Sequence, residues 1–530
     1  MALRILVVLL LLVIPLEIPG CGPYFPEIQF TAEGVPEAPE QLAAGNLGIL
    51  QPSYQRMYQV IAYRYLMGVG LTAAEQRAVV PPPQSAKLQT PSQSPAQMWL
   101  AARNKVPNVK PLGEIDPYRQ VQRKGYFDTY LNCNDDSFRT AVSTLERVRR
   151  AGAASDWIAA QDIVFADCSK GNDLPPATSD ARIAPDRAYQ IASAKFYSEQ
   201  YDAAKRDFQA IAGDPSSPWR SIAPYLATRC SIRAGKFAEA ESELQRIAAD
   251  PGLRSQRASA TALLGFVSAH QDPKARMHQL ALALLKPASQ STIGQDLTDY
   301  QMMFDQGVKP ATSDDLTDWI VSFQGGGVGA LERWRSKPSL PWLVAALHAA
   351  KPGDPALPEL LSAASAVDRN SPAFLTVNYH RVRLLPPDEA RELSNQLLTG
   401  KLLIADRNML RAQSMRMARG FDEFLKFAPR AEVRDATNFF MLSKSNTASV
   451  GLTKLDQDSS RILDRAVPLA MLKQASVSML LPVEIRQRLQ RVVAIRTLLL
   501  SPTSDFTQVF RLLKTPGETP FVRDDVSPRQ

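Results

Sequence analysis

Three observations predict an all-α fold, an array of stacked helical hairpins (an α-solenoid) continued by a further helical region. The stretch YDAAKRDFQAIAGDP at 201–215 returns as FAEAESELQRIAADP at 237–251, in register at 237 − 201 = 36 residues. In each copy the packing residues stand at offsets 0, 3, 7 and 10 (Tyr201, Ala204, Phe208, Ile211; Phe237, Ala240, Leu244, Ile247), which share one face of a helix. The composition, 45% hydrophobic and 22% charged over 530 residues, is that of a folded chain too long for one compact core.

The elements follow in order. Arg4 precedes the apolar run ILVVLLLLVI at 5–14. That run is far short of the roughly 20 residues a membrane-spanning helix needs, so residues 1–20 read as a secretory signal. IPGC at 18–21 resembles the bacterial lipobox. The resemblance implies that Cys21 is the lipidated first residue of the mature chain. Gly22 in place of Asp resembles the outer-membrane sorting pattern, which implies an outer-membrane protein facing the periplasm. Residues 21–115 read as a tether with helices, interrupted at 79–95 by the Pro/Ser/Gln-rich linker VVPPPQSAKLQTPSQSP.

Residues 116–290 carry the repeats. FRTAVSTLERV at 138–148 has Phe138, Ala141, Leu145 and Val148 at the same offsets, a further copy upstream. Leu280 and Pro287 make a weaker copy downstream, with Pro273 where the aromatic stood. The Asp-Pro that ends each strong copy stops its helix, because proline disfavours helical geometry in the residue before it. One such hairpin cannot bury its apolar face alone, so neighbours stack. The block 185–251 resembles tetratricopeptide repeats, whose unit is a helix–turn–helix ending in Pro. The match is good in the second helices. It is weaker in the first helices, 187–200 and 223–236, where the family's Trp is missing.

Cysteine placement adds a constraint. Cys133 precedes one expected helix (137–150) and Cys168 follows the next (155–166). In an antiparallel hairpin these outer ends meet, so an oxidising compartment favours a Cys133–Cys168 disulfide over two buried thiols. Cys230 is then left single. Beyond the repeats, 291–512 reads as helix after helix with no convincing alternating stretch, and 513–530 as a flexible tail.

Motifs that suggest chemistry have simpler readings. GGGVG at 325–329 lacks the Lys-Ser/Thr of a phosphate loop and follows a helix, so it is an interhelix turn. Asn134-Asp135-Asp136 stands where a helix begins and reads as a cap. ESEL at 241–244 resembles the start of a lytic transglycosylase motif, but the Gly-rich continuation is missing. The four histidines stand singly and no metal-ligand spacing occurs, so neither a metal nor a cofactor is expected. The net charge is +8, with its strongest cluster in ERVRR at 146–150. Such diffuse charge is a solvated helix face and argues against nucleic acid.

By analogy with the repeat family, the first helices would line a groove, with Ser193, Tyr197, Arg229 and Arg233 facing it. Tyr189, Phe196, Tyr225 and Ile232 would pack inward. The expectation is a non-enzymatic envelope lipoprotein that binds a protein or peptide in that groove. Two alternatives are an outer-membrane glycan-capture lipoprotein resembling SusD, and a cell-wall or glycan-processing enzyme sited in 291–512.

Overall fold

The computed structural model describes residues 29–80, 93–123, 126–287, 292–433 and 451–500. The signal segment, Cys21, most of the Pro-rich linker and the tail at 513–530 lie outside the described residues. The chain is mostly helical and divides into two compact units, which do not follow chain order.

The first unit opens with a strap, residues 29–50, containing the short helix α1 (Pro39–Ala43), followed by α2 (Arg56–Leu66) and α3 (Ala73–Val79). Thr72 and Glu75 form a reciprocal capping box at the start of α3. Glu75 also pairs with Arg64 of α2, both fully buried, so each charge is compensated where water is excluded.

The chain then builds the second unit. It begins with α4 (Pro95–Arg103) and an antiparallel hairpin of β1 (Tyr118–Arg123) and β2 (Tyr126–Leu131), in which Tyr118 pairs with Leu131. The all-α expectation holds for the bulk of the chain, but this hairpin departs from it. Its strands are short; YRQVQR is mostly polar and YFDTYL, though aromatic, does not alternate apolar with polar residues, so no apolar alternation announces them. Helices α5 (Asp135–Arg150) and α6 (Ala154–Ala166) follow. Asn134 caps α5 by accepting the Ser137 N–H, Asp135 and Asp136 occupy its first turn, and three arginines its last, each sign suited to the helix dipole. A disulfide joins Cys133 to Cys168, with Cα atoms 5.5 Å apart, and closes the outer ends of this hairpin; Cys230 is a buried free thiol.

The repeat region continues as α7 (Ala184–Tyr197), α8 (Tyr201–Gly213), α9 (Ala223–Arg233), α10 (Phe237–Ala249), a 3₁₀ segment at Pro251–Gln256, α11 (Arg257–Gln271), α12 (Pro273–Leu284) and α13 (Ile293–Asp305). From α7 to α12 each helix packs against its chain neighbours. The offsets read from the sequence are packing positions. Phe138, Ala141, Leu145 and Val148 are buried, as are Ala204, Phe208 and Ile211, and Ala240, Leu244 and Ile247. Ala204 and Ala240 are fully enclosed, which only a small side chain permits at a close helix approach. In the weak copy Pro273 is the first residue of α12 behind the Asp272 cap, a position that tolerates proline, and Met277, Leu280, Ala281 and Leu284 supply the buried face. Lys205 of α8 ties three helices together. Its Nζ lies 2.6 Å from Ser231 Oγ on α9, and 2.7 and 2.9 Å from Glu243 and Glu239 on α10. The ESEL segment thus lies within α10, with Glu243 in this network and Leu244 in the core.

The chain returns to the first unit with α14 (Asp315–Gln324), α15 (Ala330–Ser336), α16 (Leu340–Ala349), α17 (Leu357–Ser365), α18 (Phe374–Leu384), α19 (Pro387–Leu398), α20 (Ile404–Arg416) and α21 (Phe421–Phe427). A two-residue bridge, β3 (Pro429–Arg430) with β4 (Lys454–Leu455), precedes α22 (Gln457–Arg461), a π-helical turn at Ile462–Ala466, α23 (Leu469–Val477) and α24 (Val483–Leu500). GGGVG is the turn between α14 and α15. Gly327 there has φ +80° and a Cβ would stand 2.6 Å from the Ala345 carbonyl oxygen, so glycine is required on two counts.

The early segments are stitched to these late helices. Tyr63 Oη donates to Asp315, which also accepts from Trp342 Nε1. Along the strap, Ile49 N–H donates to Asp406, Leu50 N–H to Thr376 Oγ1, and Asn408 Nδ2 to the Phe30 carbonyl. Glu37 accepts the Ile404 and Ala405 N–H groups at the start of α20.

Candidate functional site

The four residues expected to face a groove lie on α7 and α9 of the second unit. Arg229 and Arg233 stand one turn apart on α9. Both guanidinium groups lie over the Phe196 ring, at 5.4 and 5.8 Å, and Arg233 also lies 5.1 Å from the Tyr130 ring on β2. Such stacking holds a guanidinium in place without consuming its N–H donors. Among the described residues neither arginine has a carboxylate within ion-pair distance. Both are partly exposed.

Ser193 and Tyr197 turn the other way. With Ser137, Thr140 and Thr144 of α5, Trp157 and Gln161 of α6, and Trp219, they line a small, partly open cavity. Tyr197 Oη lies 2.7 Å from Ser137 Oγ. Burial raises the Tyr197 phenol, and the Ser137 hydrogen bond and the two arginines oppose part of that rise. Tyr189 stacks on Trp219 at 4.0 Å between centroids, and Tyr225 and Ile232 pack on the core beneath α10. The arginines therefore form the accessible part of this face, while Ser193 and Tyr197 wall the small cavity beside it.

The hairpin completes the face. Asn132 Nδ2 donates to the carbonyls of Cys168 and Tyr197, and Arg119 Nη1 to those of Asp167 and Tyr197, so β1–β2 is fixed to the end of α7. Tyr130 Oη donates to Glu199 at 2.6 Å; burial and that bond both raise the phenol. Asp167, fully enclosed behind the hairpin, is pushed up to about 6 by burial, which outweighs the nearby Ser198 hydroxyl, Asp173 backbone and Arg119. Sequence reasoning missed Tyr130, because it sits on the unrecognised hairpin. It assigned Phe196 to packing but not to its role beneath two arginines.

Elsewhere the fold pairs two of the histidines the sequence left single. His348 and His380 lie 5.7 Å apart between ring centroids. Burial, then Arg383, lowers both; His380 is enclosed and neither of its ring nitrogens has a hydrogen-bond partner. Among the described residues there is no group of three or more His, Cys, Asp or Glu side chains that could hold a metal ion, and no helix long and apolar enough to cross a membrane. Compared with protein-family models, with curated proteins and with solved structures, the chain finds no match.

Proposed function

We propose that the chain is a non-enzymatic, lipid-anchored envelope scaffold, an α-solenoid that binds another protein, or an extended segment of one, along the α7–α9 face of its repeats. The observation that carries the reading is the guanidinium pair of Arg229 and Arg233, held over Phe196 and Tyr130 with no carboxylate of its own among the described residues. Such a pair offers oriented, charge-assisted donors to a carboxylate or other anionic group on the partner. The lipobox-like IPGC supports placement at the membrane, and the stacked hairpins support a continuous binding surface.

The test is in-cell crosslinking, purification from the membrane fraction and mass spectrometry, comparing wild type with Arg229→Glu/Arg233→Glu. One or a few envelope proteins should be captured by the wild type and lost by the variant, with circular dichroism unchanged. Capture that the charge reversal does not alter refutes the assigned face. If no protein is captured above background, the glycan-capture reading replaces this one.

A further inference from the structure

A second surface lies in the first unit, at the turn between α23 and α24. Four apolar side chains are exposed within seven residues: Val477 66%, Met479 83%, Leu480 44% and Val483 49%. An isolated exposed apolar residue is ordinary, but a cluster at the tip of a helical hairpin marks a contact surface. The turn is held from below. Leu472 and Ala475 of α23, Leu481 in the turn, and Ile485 and Leu489 of α24 belong to one buried core. The Ser478 carbonyl accepts the Leu481 N–H, and the Ser478 hydroxyl accepts that of Leu480. The tip is therefore a braced projection whose outer residues point to solvent because the alternating ones are anchored.

Its chemistry selects the partner. The side chains are aliphatic or thioether, without the Trp or Tyr that anchor most protein interfaces. Basic groups flank them. Lys473 is exposed one turn before Val477, Arg486 Nη1 lies 3.2 Å from Met479 Sδ, and Arg488 is exposed further along α24. Glu484 is the acid at the tip, and Asp464 lies 3.9 Å from Arg488. An apolar projection with a net positive collar matches the interface of an anionic bilayer, where apolar groups enter the acyl boundary and cations meet phosphates.

Chain length adds to this, resting here on the lipid-anchor reading of Cys21. Gln29 accepts the Val433 N–H at 2.7 Å, and Val433 follows by a few residues Phe427 and Ala428, which share the core of α23 and α24. The eight residues from 21 to 29 can span at most about 29 Å, so a lipidated Cys21 keeps this part of the unit close to the membrane.

We propose that the α23–α24 turn inserts Val477, Met479, Leu480 and Val483 into the interface of an anionic phospholipid bilayer. The test places a polarity-sensitive fluorophore on Met479→Cys in the full chain. Cys133 and Cys168 are paired and Cys230 is buried, so the new thiol is the reactive one among the described residues. Vesicles of phosphatidylglycerol and phosphatidylethanolamine carrying acyl-chain quenchers should quench this dye several-fold more than a dye on Val328→Cys, an equally exposed site on the same unit. Vesicles of phosphatidylcholine alone should do so less. Adding Leu480→Asp and Val483→Asp should abolish the quenching. Equal quenching at 328 and 479, or none at 479, overturns the proposal. Fatty-acid labelling of Cys21 is scored separately, so a quenched tip without labelling would remove the anchor reading and leave the tip standing.

Discussion

Replacing Asp406 with Asn should make the first unit more stable at alkaline pH and flatten its pH response. Asp406 sits in the first turn of α20, 4% exposed, and accepts the Ile49 N–H of the strap. Burial raises its carboxyl from 3.8 to about 7, outweighing the opposing Ile49 hydrogen bond, and the neighbouring Glu37 charge adds a smaller rise. A carboxyl whose folded value lies above its unfolded value favours folding when protonated. That stability is complete below the unfolded value and is lost as pH rises through the folded one. The full difference is roughly 4 kcal/mol, of which between about 2 and 3 kcal/mol falls between pH 5 and 8. Asn keeps the acceptor for Ile49 and cannot ionise. Denaturant unfolding followed by circular dichroism, at pH 5 and at pH 8, should show the wild type losing that amount and Asp406→Asn losing little of it. Equal pH dependence in both proteins would refute the assignment of a neutral, buried Asp406.

Four further outcomes follow from contacts described above. Replacing Cys133 and Cys168 with serine should cost about 3–4 kcal/mol through the freed loop, read as a lower unfolding midpoint that reductant no longer shifts. Lys205→Met should cost about 1–3 kcal/mol, because Glu243 keeps its charge with little solvent while Glu239 is half exposed; a Glu243→Gln second change should recover part of the loss in a double-mutant cycle. Gly327→Ala should destabilise by about 1–3 kcal/mol from backbone strain alone, more if the Ala345 carbonyl must move, and a midpoint at the wild-type value would contradict the described turn. Phe138→Ala should cost about 3–5 kcal/mol, measured by denaturant unfolding, since its ring is buried against Phe165.

What the sequence disclosed is what local periodicity can encode. The offsets in 138–148, 201–211 and 237–247 marked buried faces because helical spacing and burial are set within one helix. Asn134 was legible as a cap and the glycines of 325–329 as a turn, since both depend on near neighbours. The Cys133–Cys168 pairing was also reachable, as it follows from two adjacent helices. The accessible part of the candidate site was half legible: Arg229 and Arg233 came only by analogy with the repeat family, whose first helices line the groove. Their setting was not, because Tyr130 comes from a hairpin whose short strands show no apolar alternation, and because Tyr197 faces Ser137, sixty residues earlier. The strap at 29–50 was equally hidden. Besides near contacts such as Tyr65 Oη to the Ala43 carbonyl, it is held by partners beyond residue 370, and no local pattern points across that distance.

That strap governs when the protein can become complete. Its backbone groups are satisfied by Thr376, Asp406 and Asn408, and Gln29 by Val433, contacts separated by more than 320 positions along the chain. A ribosome makes the strap first and these partners last, so the first unit cannot close until the late helices have been synthesised. The second unit holds its partners within one continuous stretch and one later helix, and can begin to order much earlier. Late closure leaves the leading segment without these partners until the trailing helices have been made.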